Sequence, residues 1–267
     1  MDFLKSGLLA DWNHVMPKPR LFAKNYLKSD TARLKCQNRF KNEIKKGRML
    51  GGPGWSAVDV RRFLNRPFFV APCGAVPKGT DPHGRIVHNY SSKVNGLSLN
   101  DALNDTSVKY ISFKKRVHLL HKMKWYIKVD LKEGYRQLAV HPSEWHTQVY
   151  MLNNNEYYID IAMPFGKANS SSLFCMWTDL WFSSFLYWFN LKYDFPATLG
   201  SYVDDAFGGT NTEKDAHTMI VELLQMGRKT FSIFNAKKTG CPARALEILG
   251  LLYSSITKSC RLGKKKI

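Results

Sequence analysis

The chain has 267 residues, 44% of them hydrophobic and 23% charged, which allows one large domain or two associated subdomains and excludes a chain without a core. Its 40 Lys and Arg against 21 Asp and Glu give a net charge of +19, so a polyanionic partner is expected, either nucleic acid or an anionic membrane surface. The charge is uneven: residues 1–66 carry 15 basic and 5 acidic side chains, residues 126–210 carry 5 and 9, and an acidic centre within a basic chain predicts cations at that centre.

The opening "MDFLKSGLLADW" holds an acidic residue and too short an apolar run for a secretory signal, so an intracellular location is expected, with nucleus and cytoplasm undivided. The first 50 residues read as basic helical segments, clearest in "TARLKCQNRFKNEIKKGRM", ended by the breaker "GGPG" at 51–54 and a linker or loop. Two β-rich pieces, 68–76 and 85–90, flank "GTDPHG" at 79–84 and predict a hairpin. Lys78 and Arg85 would face one another across it, an arrangement suited to gripping a polyphosphate. A helical stretch follows at 112–124, where His118 and His121 read as surface residues rather than metal ligands.

In "WYIKVDLKEGYRQLAVHP", Ile127, Val129 and Leu131 alternate with Lys128 and Asp130, so Asp130 leaves a strand on the side opposite the apolar row. A turn, a strand and a Pro-Phe-Gly break lead into residues 172–189, "SLFCMWTDLWFSSFLYWF", about as long as a minimal membrane span. Asp179 and four Ser or Thr residues interrupt it, and Phe174, Trp177, Trp181, Phe185 and Trp188 recur at steps of three and four. A helix with an aromatic face in a core is expected, and no membrane partner. Next, "SYVDDAFGG" at 201–209 puts adjacent Asp204 and Asp205 between strand formers and a Gly-Gly stop, which alone reads as a solvated hairpin turn. "EKDAHTMIVELLQMGRKT" predicts an amphipathic helix and "LEILGLLYSS" a last strand pair, so helices and antiparallel strands mix in an α+β protein. Five cysteines, Cys36, Cys73, Cys175, Cys241 and Cys260, form no C-x-x-C pair and are expected to be reduced and structural.

Six stretches in one order carry a resemblance: "VPKGTDPHGRIVHNYS", "KVDLKEGYRQLAVHP", "MPFGKANSSSLF", "YVDD", "FNAKKTG" and "LGLLY". Together they resemble the fingers motif and palm motifs A to E of a reverse transcriptase, an RNA-directed DNA polymerase, over about residues 36–253. The likeness is nearest to DIRS-like retrotransposons, with kinship to long-terminal-repeat elements and retroviruses. It implies a right-hand fold: a basic helical region at 1–66, fingers at 67–125, a palm at 126–253 with part of the fingers inserted near 140–165, and a basic tail at 254–267. The palm would be a ferredoxin-like βαββαβ antiparallel sheet with packed helices.

The resemblance also implies roles. Asp130 and Asp204 would bridge two magnesium ions, with Asp205 the weaker or structural member and the Leu131 carbonyl completing the nucleotide-side metal; no Lys or Arg in the immediate motifs would compensate the three carboxylates. Lys78 and Arg85 would clamp the triphosphate of an incoming deoxynucleotide, and Tyr135 would be the steric gate against a 2′-hydroxyl. Phe165 and Gly166 would line the nascent pair, Lys238 would protonate the leaving pyrophosphate with Lys237 as the alternative, and Gly250 would lie in the primer grip. Expected partners are an RNA or DNA template with its primer and deoxynucleoside triphosphates; the oligomeric state is unassigned. Asn89 and the polar "KANSSS" depart from the family pattern. The sequence runs about 14 residues past "LGLLY", without a thumb or ribonuclease H segment, so a fragment of a longer polyprotein is expected, or else a nucleic-acid-binding remnant that has lost its chemistry. A viral RNA replicase shares the palm, but bulky Tyr135 opposes it.

Overall fold

The computed structural model describes residues 7–10, 12, 16–104, 107–108, 110–153 and 155–263. In chain order its elements are α1 (Asp30–Lys45), β1 (Met49–Gly51), α2 (Ala57–Leu64), β2 (Cys73–Lys78), β3 (Asp81–His88), α3 (Phe113–His121) and β4 (Trp125–Asp130). There follow two 3-10 turns (Gly134–Gln137 and Pro142–Thr147), β5 (Val149–Leu152), β6 (Glu156–Asp160), α4 (Ser170–Lys192), β7 (Ala197–Tyr202), β8 (Asp205–Thr210), α5 (Glu213–Lys229), β9 (Ala245–Ile248), β10 (Leu251–Ser254) and β11 (Ser259–Leu262). Ser29, Ser56, Ser112 and Thr212 begin α1, α2, α3 and α5, each hydroxyl accepting from a backbone N–H of the first turn, which would otherwise have no partner.

The chain forms two compact units, Met1–Ser107 with Tyr135–Ser170 and Val108–Gly134 with Ser171–Ile267. In the first, the antiparallel sheet β1-β6-β5 packs its residues into two clusters. Phe40, Tyr150 and Tyr158 lie with α1; Val60, Phe68, Val149 and Ile159 lie with α2. Full burial of one apolar side chain such as these stabilises the fold by roughly 1.5–3 kcal/mol. Among the described residues before Ser29 no helix forms and isolated bridges occur at Leu8, Trp12, Arg20 and Tyr26, so the expected helical segments reduce there to α1. Where a linker was expected, α2 forms behind a reciprocal Ser56–Asp59 capping box. The β2–β3 hairpin forms with a tighter turn than expected: Lys78 pairs with Asp81, and Arg85 lies opposite Val76 across a register shift. Lys78 and Arg85 therefore do not face one another, because the ribbon closes at Gly79 and Thr80 and takes Asp81 into the strand.

In the second unit β8 is the centre of the antiparallel sheet β4-β8-β7, with α4 leading into β7 and α5 following β8. Isolated bridges Leu131↔Phe234 and Tyr126↔Ala243 add backbone along the outer side of β4. This is the mixed α+β arrangement with antiparallel strands that was expected, with a second antiparallel sheet β9-β10-β11; β11 falls in the segment read as a tail. Helix α4 buries Phe174, Trp177, Phe182, Phe185 and Phe189, while Trp181 and Trp188 are half-buried at the margin of the aromatic face. No helix among the described residues is long and apolar enough to cross a membrane. Gly208 and Gly209 do not stop a strand but sit inside β8. A Cβ on Gly208 would lie 1.9 Å from the Thr198 carbonyl oxygen and one on Gly209 2.5 Å from that of Trp125, so glycine lets both neighbours close on the central strand. Cys36, Cys73 and Cys175 are buried, whereas Cys241 and Cys260 are exposed thiols.

Candidate active site

Strand β4 runs antiparallel to β8 with Asp130 directly opposite Asp205, and Tyr202 pairs with Asp205 on the other side. The loop between β7 and β8 is thus only Val203 and Asp204. Val203 has φ of +57°, a left-handed conformation that a β-branched residue rarely takes and that a tight hairpin demands at its first loop position. The tip is held from several sides. Leu131 N–H donates to the Asp204 carbonyl at 2.8 Å, Asn235 N–H donates to the Asp130 carbonyl at 2.7 Å, and Ser201 Oγ donates to Asp179 on α4. The three carboxylates expected to act together are therefore brought together, on one strand end and one hairpin tip.

Asp130 is 3% exposed, and Lys238 Nζ donates to its Oδ2 at 2.7 Å. Lys238 stands on a turn built by Asn235, whose carbonyl accepts from the Lys238 and Thr239 N–H groups and whose side chain accepts from Lys237 N–H. Of the two lysines considered, Lys238 is the one that reaches the carboxylates. Its own pKa is raised by that hydrogen bond. Burial raises Asp204 and Asp205, and Asp130 pushes both further in the same direction. Lys128 opposes the shift at Asp205, its Nζ lying 3.4 Å from Oδ1. The expectation that no cation compensates these carboxylates is thereby corrected: Lys128 and Lys238 both do. Lys128 was legible, since two residues before Asp130 on a strand means the same face.

Among the described residues no three His, Cys, Asp or Glu side chains already form a metal-holding group. The donor set nevertheless fits a hard divalent cation. It offers carboxylate oxygens only, and Asp205 Oδ1 is buried without a hydrogen-bond partner, its nearest cation standing at ion-pair distance. Lys238 is the removable occupant, with its side chain 58% exposed.

Apart from Gly250, the remaining site candidates lie in the first unit. Tyr135 and Phe165 pack against one another with ring centroids 4.8 Å apart and planes tilted by 35°. Gly166 has φ of +99°, and a Cβ there would meet the His88 carbonyl at 2.6 Å, so its need for glycine arises within the protein. Lys78 and Arg85 are exposed on the β2–β3 ribbon. Gly250 follows Leu249 in a two-residue hairpin between β9 and β10, both with positive φ, in the second unit. The polar run after Pro-Phe-Gly is buried: Lys167, Asn169, Ser170 and Ser172 are each at most 6% exposed. Lys167 is pulled down to about 8 by burial, with Glu144 at 3.5 Å and the Trp12 ring 4.7 Å away. Those partners are distant in sequence, so no local pattern announced them.

A sheet whose central hairpin carries two carboxylates beside a third on the adjoining strand defines a polymerase palm. The profile of the family described as reverse transcriptase (RNA-dependent DNA polymerase) matches residues 82–252, and the chain belongs to that family. Reverse transcriptases generally use divalent metal ions. Similar solved structures include the foamy viral protease-reverse transcriptase in complex with dsDNA, at 17% identity and a TM-score of 0.71, covering 97% of this chain and 48% of that one. The foamy viral protein in complex with an RNA/DNA hybrid matches at 17% and 0.70, covering 96% and 30%. The native prototype foamy virus enzyme matches at 16% and 0.61, again covering 96% and 30%. The chain thus spans less than half the length of these neighbours, and the likeness is one of fold. No curated protein matches it in sequence.

Proposed function

We propose that this chain is the polymerase part of a retrotransposon reverse transcriptase of DIRS-like type, adding deoxynucleotides to a primer on an RNA or DNA template. The observation that carries the reading is the register that sets Asp130 against Asp205 at the root of the Val203–Asp204 tip, with the Asp204 carbonyl bonded to Leu131 N–H. Asp130, Asp204 and Asp205, with the Leu131 carbonyl, would hold two magnesium ions. When bound, these supply the positive charge that lets a primer hydroxyl attack a triphosphate.

The chain's own residues do the rest. Asp130, fixed by backbone bonds at Asn235 and Leu131, keeps its carboxylate at one place, so little reorganisation accompanies the reaction. Lys238 holds a proton at Nζ beside Asp130 and would deliver it to the departing pyrophosphate. On the first unit, Lys78 and Arg85 offer exposed cations to phosphates, and the half-buried Tyr135 ring, backed by Phe165, excludes a 2′-hydroxyl. The excess of basic residues over 1–66 suits a nucleic-acid backbone.

The test is extension of a DNA primer on an RNA template by the purified chain with magnesium, beside Asp204→Asn. Loss of extension with template binding retained is expected. Equal extension by both proteins refutes the assignment of the carboxylates.

A further inference from the structure

Arg136 follows Tyr135 in the chain and is 5% exposed. Its guanidinium forks onto Asp160, Nη1 to Oδ2 at 2.7 Å and Nη2 to Oδ1 at 2.8 Å, while Nε and Nη2 reach Glu43 Oε2 at 3.1 and 2.9 Å. Nη1 also donates to the carbonyls of Ala162 and Met163, each at 3.3 Å. Asp160 and Glu43 are 1% and 4% exposed, so this is a buried ion triad with one positive and two negative members. Arg136 is raised by the carboxylates; Asp160 is raised by burial even so, with Arg136 opposing.

Such a triad is a poor device for stability. Desolvation consumes most of the attraction, and apolar replacements of equal volume are often as stable. What the triad does have is specific reach. One end is the turn Gly134–Gln137 that carries Tyr135; the other is the strand exit 160–163, two residues before Phe165. Backbone bonds run beside it: Met163 N–H donates to the Leu138 carbonyl at 2.8 Å, and Leu138 N–H to that of Tyr135 at 3.2 Å. Arg136 and Phe165 line the same small cavity of about 10 Å³, together with Glu43 and Asp160. The packed pair Tyr135–Phe165 is thus mounted on two backbone segments that a single guanidinium fork joins.

We infer that Arg136 is a positioning residue for sugar selection: through Asp160 and the Ala162 and Met163 carbonyls it fixes the Tyr135 ring against Phe165, and so sets how strictly a 2′-hydroxyl is refused. This rests on the reading of Tyr135 as the gate. Lysine keeps the charge of arginine but not its planar fork, and it cannot serve Glu43, Asp160 and two carbonyls together. Glutamine at position 43 can still accept from Nε and Nη2 while the Asp160 fork remains intact.

The experiment measures kcat/KM for a deoxynucleotide and the matching ribonucleotide in primer extension by the full chain. Tyr135→Ala is expected to admit the ribonucleotide; if it leaves discrimination unchanged, the gate reading fails on its own account. Arg136→Lys should lower discrimination by about tenfold, as expected of a sub-ångström misplacement, whereas Glu43→Gln stays within about twofold of the parent. Relaxed discrimination in Tyr135→Ala with none in Arg136→Lys overturns the positioning role and leaves the gate standing. Should Arg136→Lys not fold, the neutral triple substitution E43Q/R136M/D160N takes its place, with the same loss expected and the same refutation. Amide exchange gives a second readout independent of turnover. Ala162 and Met163 should exchange about tenfold faster in the variant while β8 is unchanged, and equal protection at 162–163 refutes the clamp.

Discussion

Replacing Lys238 with methionine separates two consequences that a single ammonium group ties together. Lys238 Nζ lies 2.7 Å from Asp130 Oδ2, and the carboxylate is 3% exposed while the lysine side chain is 58% exposed. Breaking a fully buried pair costs about 3–5 kcal/mol, and an exposed pair is worth about 0.2–1 kcal/mol. This pair has one partner of each kind, so screening brings the expected loss without divalent metal to about 1–2 kcal/mol. A cation that takes Asp130 must displace the ammonium and lose that same energy. Lys238→Met should therefore bind magnesium about 5–30-fold more tightly, since 1–2 kcal/mol corresponds to that ratio. Thermal unfolding with chelator and then across a magnesium series reads both effects. The variant should melt lower in chelator, and its gain on saturation should exceed the parent's by about 4 °C. On the proposal that Lys238 is the proton donor, extension should fall by about 10²–10⁴-fold at the same time. Equal magnesium-dependent gains in parent and variant would refute the competition, and an unchanged turnover would remove Lys238 as donor.

Other features of the hairpin sheet carry their own tests. Gly208→Ala places a Cβ on the Thr198 backbone and should cost roughly 3 kcal/mol or more, read as a lower urea midpoint; a midpoint within error of the parent would contradict the packing of β8. Val203→Gly relieves a left-handed β-branched residue and should raise stability by about 1 kcal/mol in the same assay, and a loss would show that the valine side chain contributes more than its backbone costs. Asp204 and Asp205 have folded pKa values above the ordinary 3.8, so their contribution to stability is fully present below that value and lost as pH rises through the raised ones. In chelator, Asp205→Asn should gain about 0.5–1 kcal/mol at pH 7, the cost of facing like charges, and the gain should vanish near pH 3; a gain independent of pH would discount the repulsion.

What the sequence disclosed was whatever depends on short periods. Alternation at 127–131 placed Asp130 and Lys128 on one face, steps of three and four placed the α4 aromatics, and "YVDD" before a glycine pair marked the hairpin. It misled where one residue type serves two ends. Gly208 and Gly209 looked like a stop because glycine is common in turns, yet close approach of Thr198 and Trp125 requires them inside a central strand. Lys78 and Arg85 were placed opposite one another by assuming a six-residue turn, and the closing Lys78–Asp81 pair shifts that register. The non-helical segment before α1 could not be told from helix, because bridges such as those at Arg20 and Tyr26 are to distant residues, 69 and 74. Nothing local foretold that Arg136 would find Glu43, 93 positions away.

The hairpin sheet concentrates choices that work against stability. A left-handed valine, two glycines in a central strand, and carboxylates facing each other across β4 and β8 are each unfavourable alone, and the aromatic face of α4 and the core around Phe207 and Tyr253 offset them. Each follows from one requirement. To carry two adjacent carboxylates at a hairpin tip, the loop has only two residues; to bring the third alongside, β4 must lie against β8. Neutral or larger substitutions there should stabilise the fold or break it, and only a counter-cation lets the native residues be both charged and close. Lys238 and Lys128 fill that role in part, and the Asp205 oxygen they leave without a hydrogen bond is where a divalent ion would gain most.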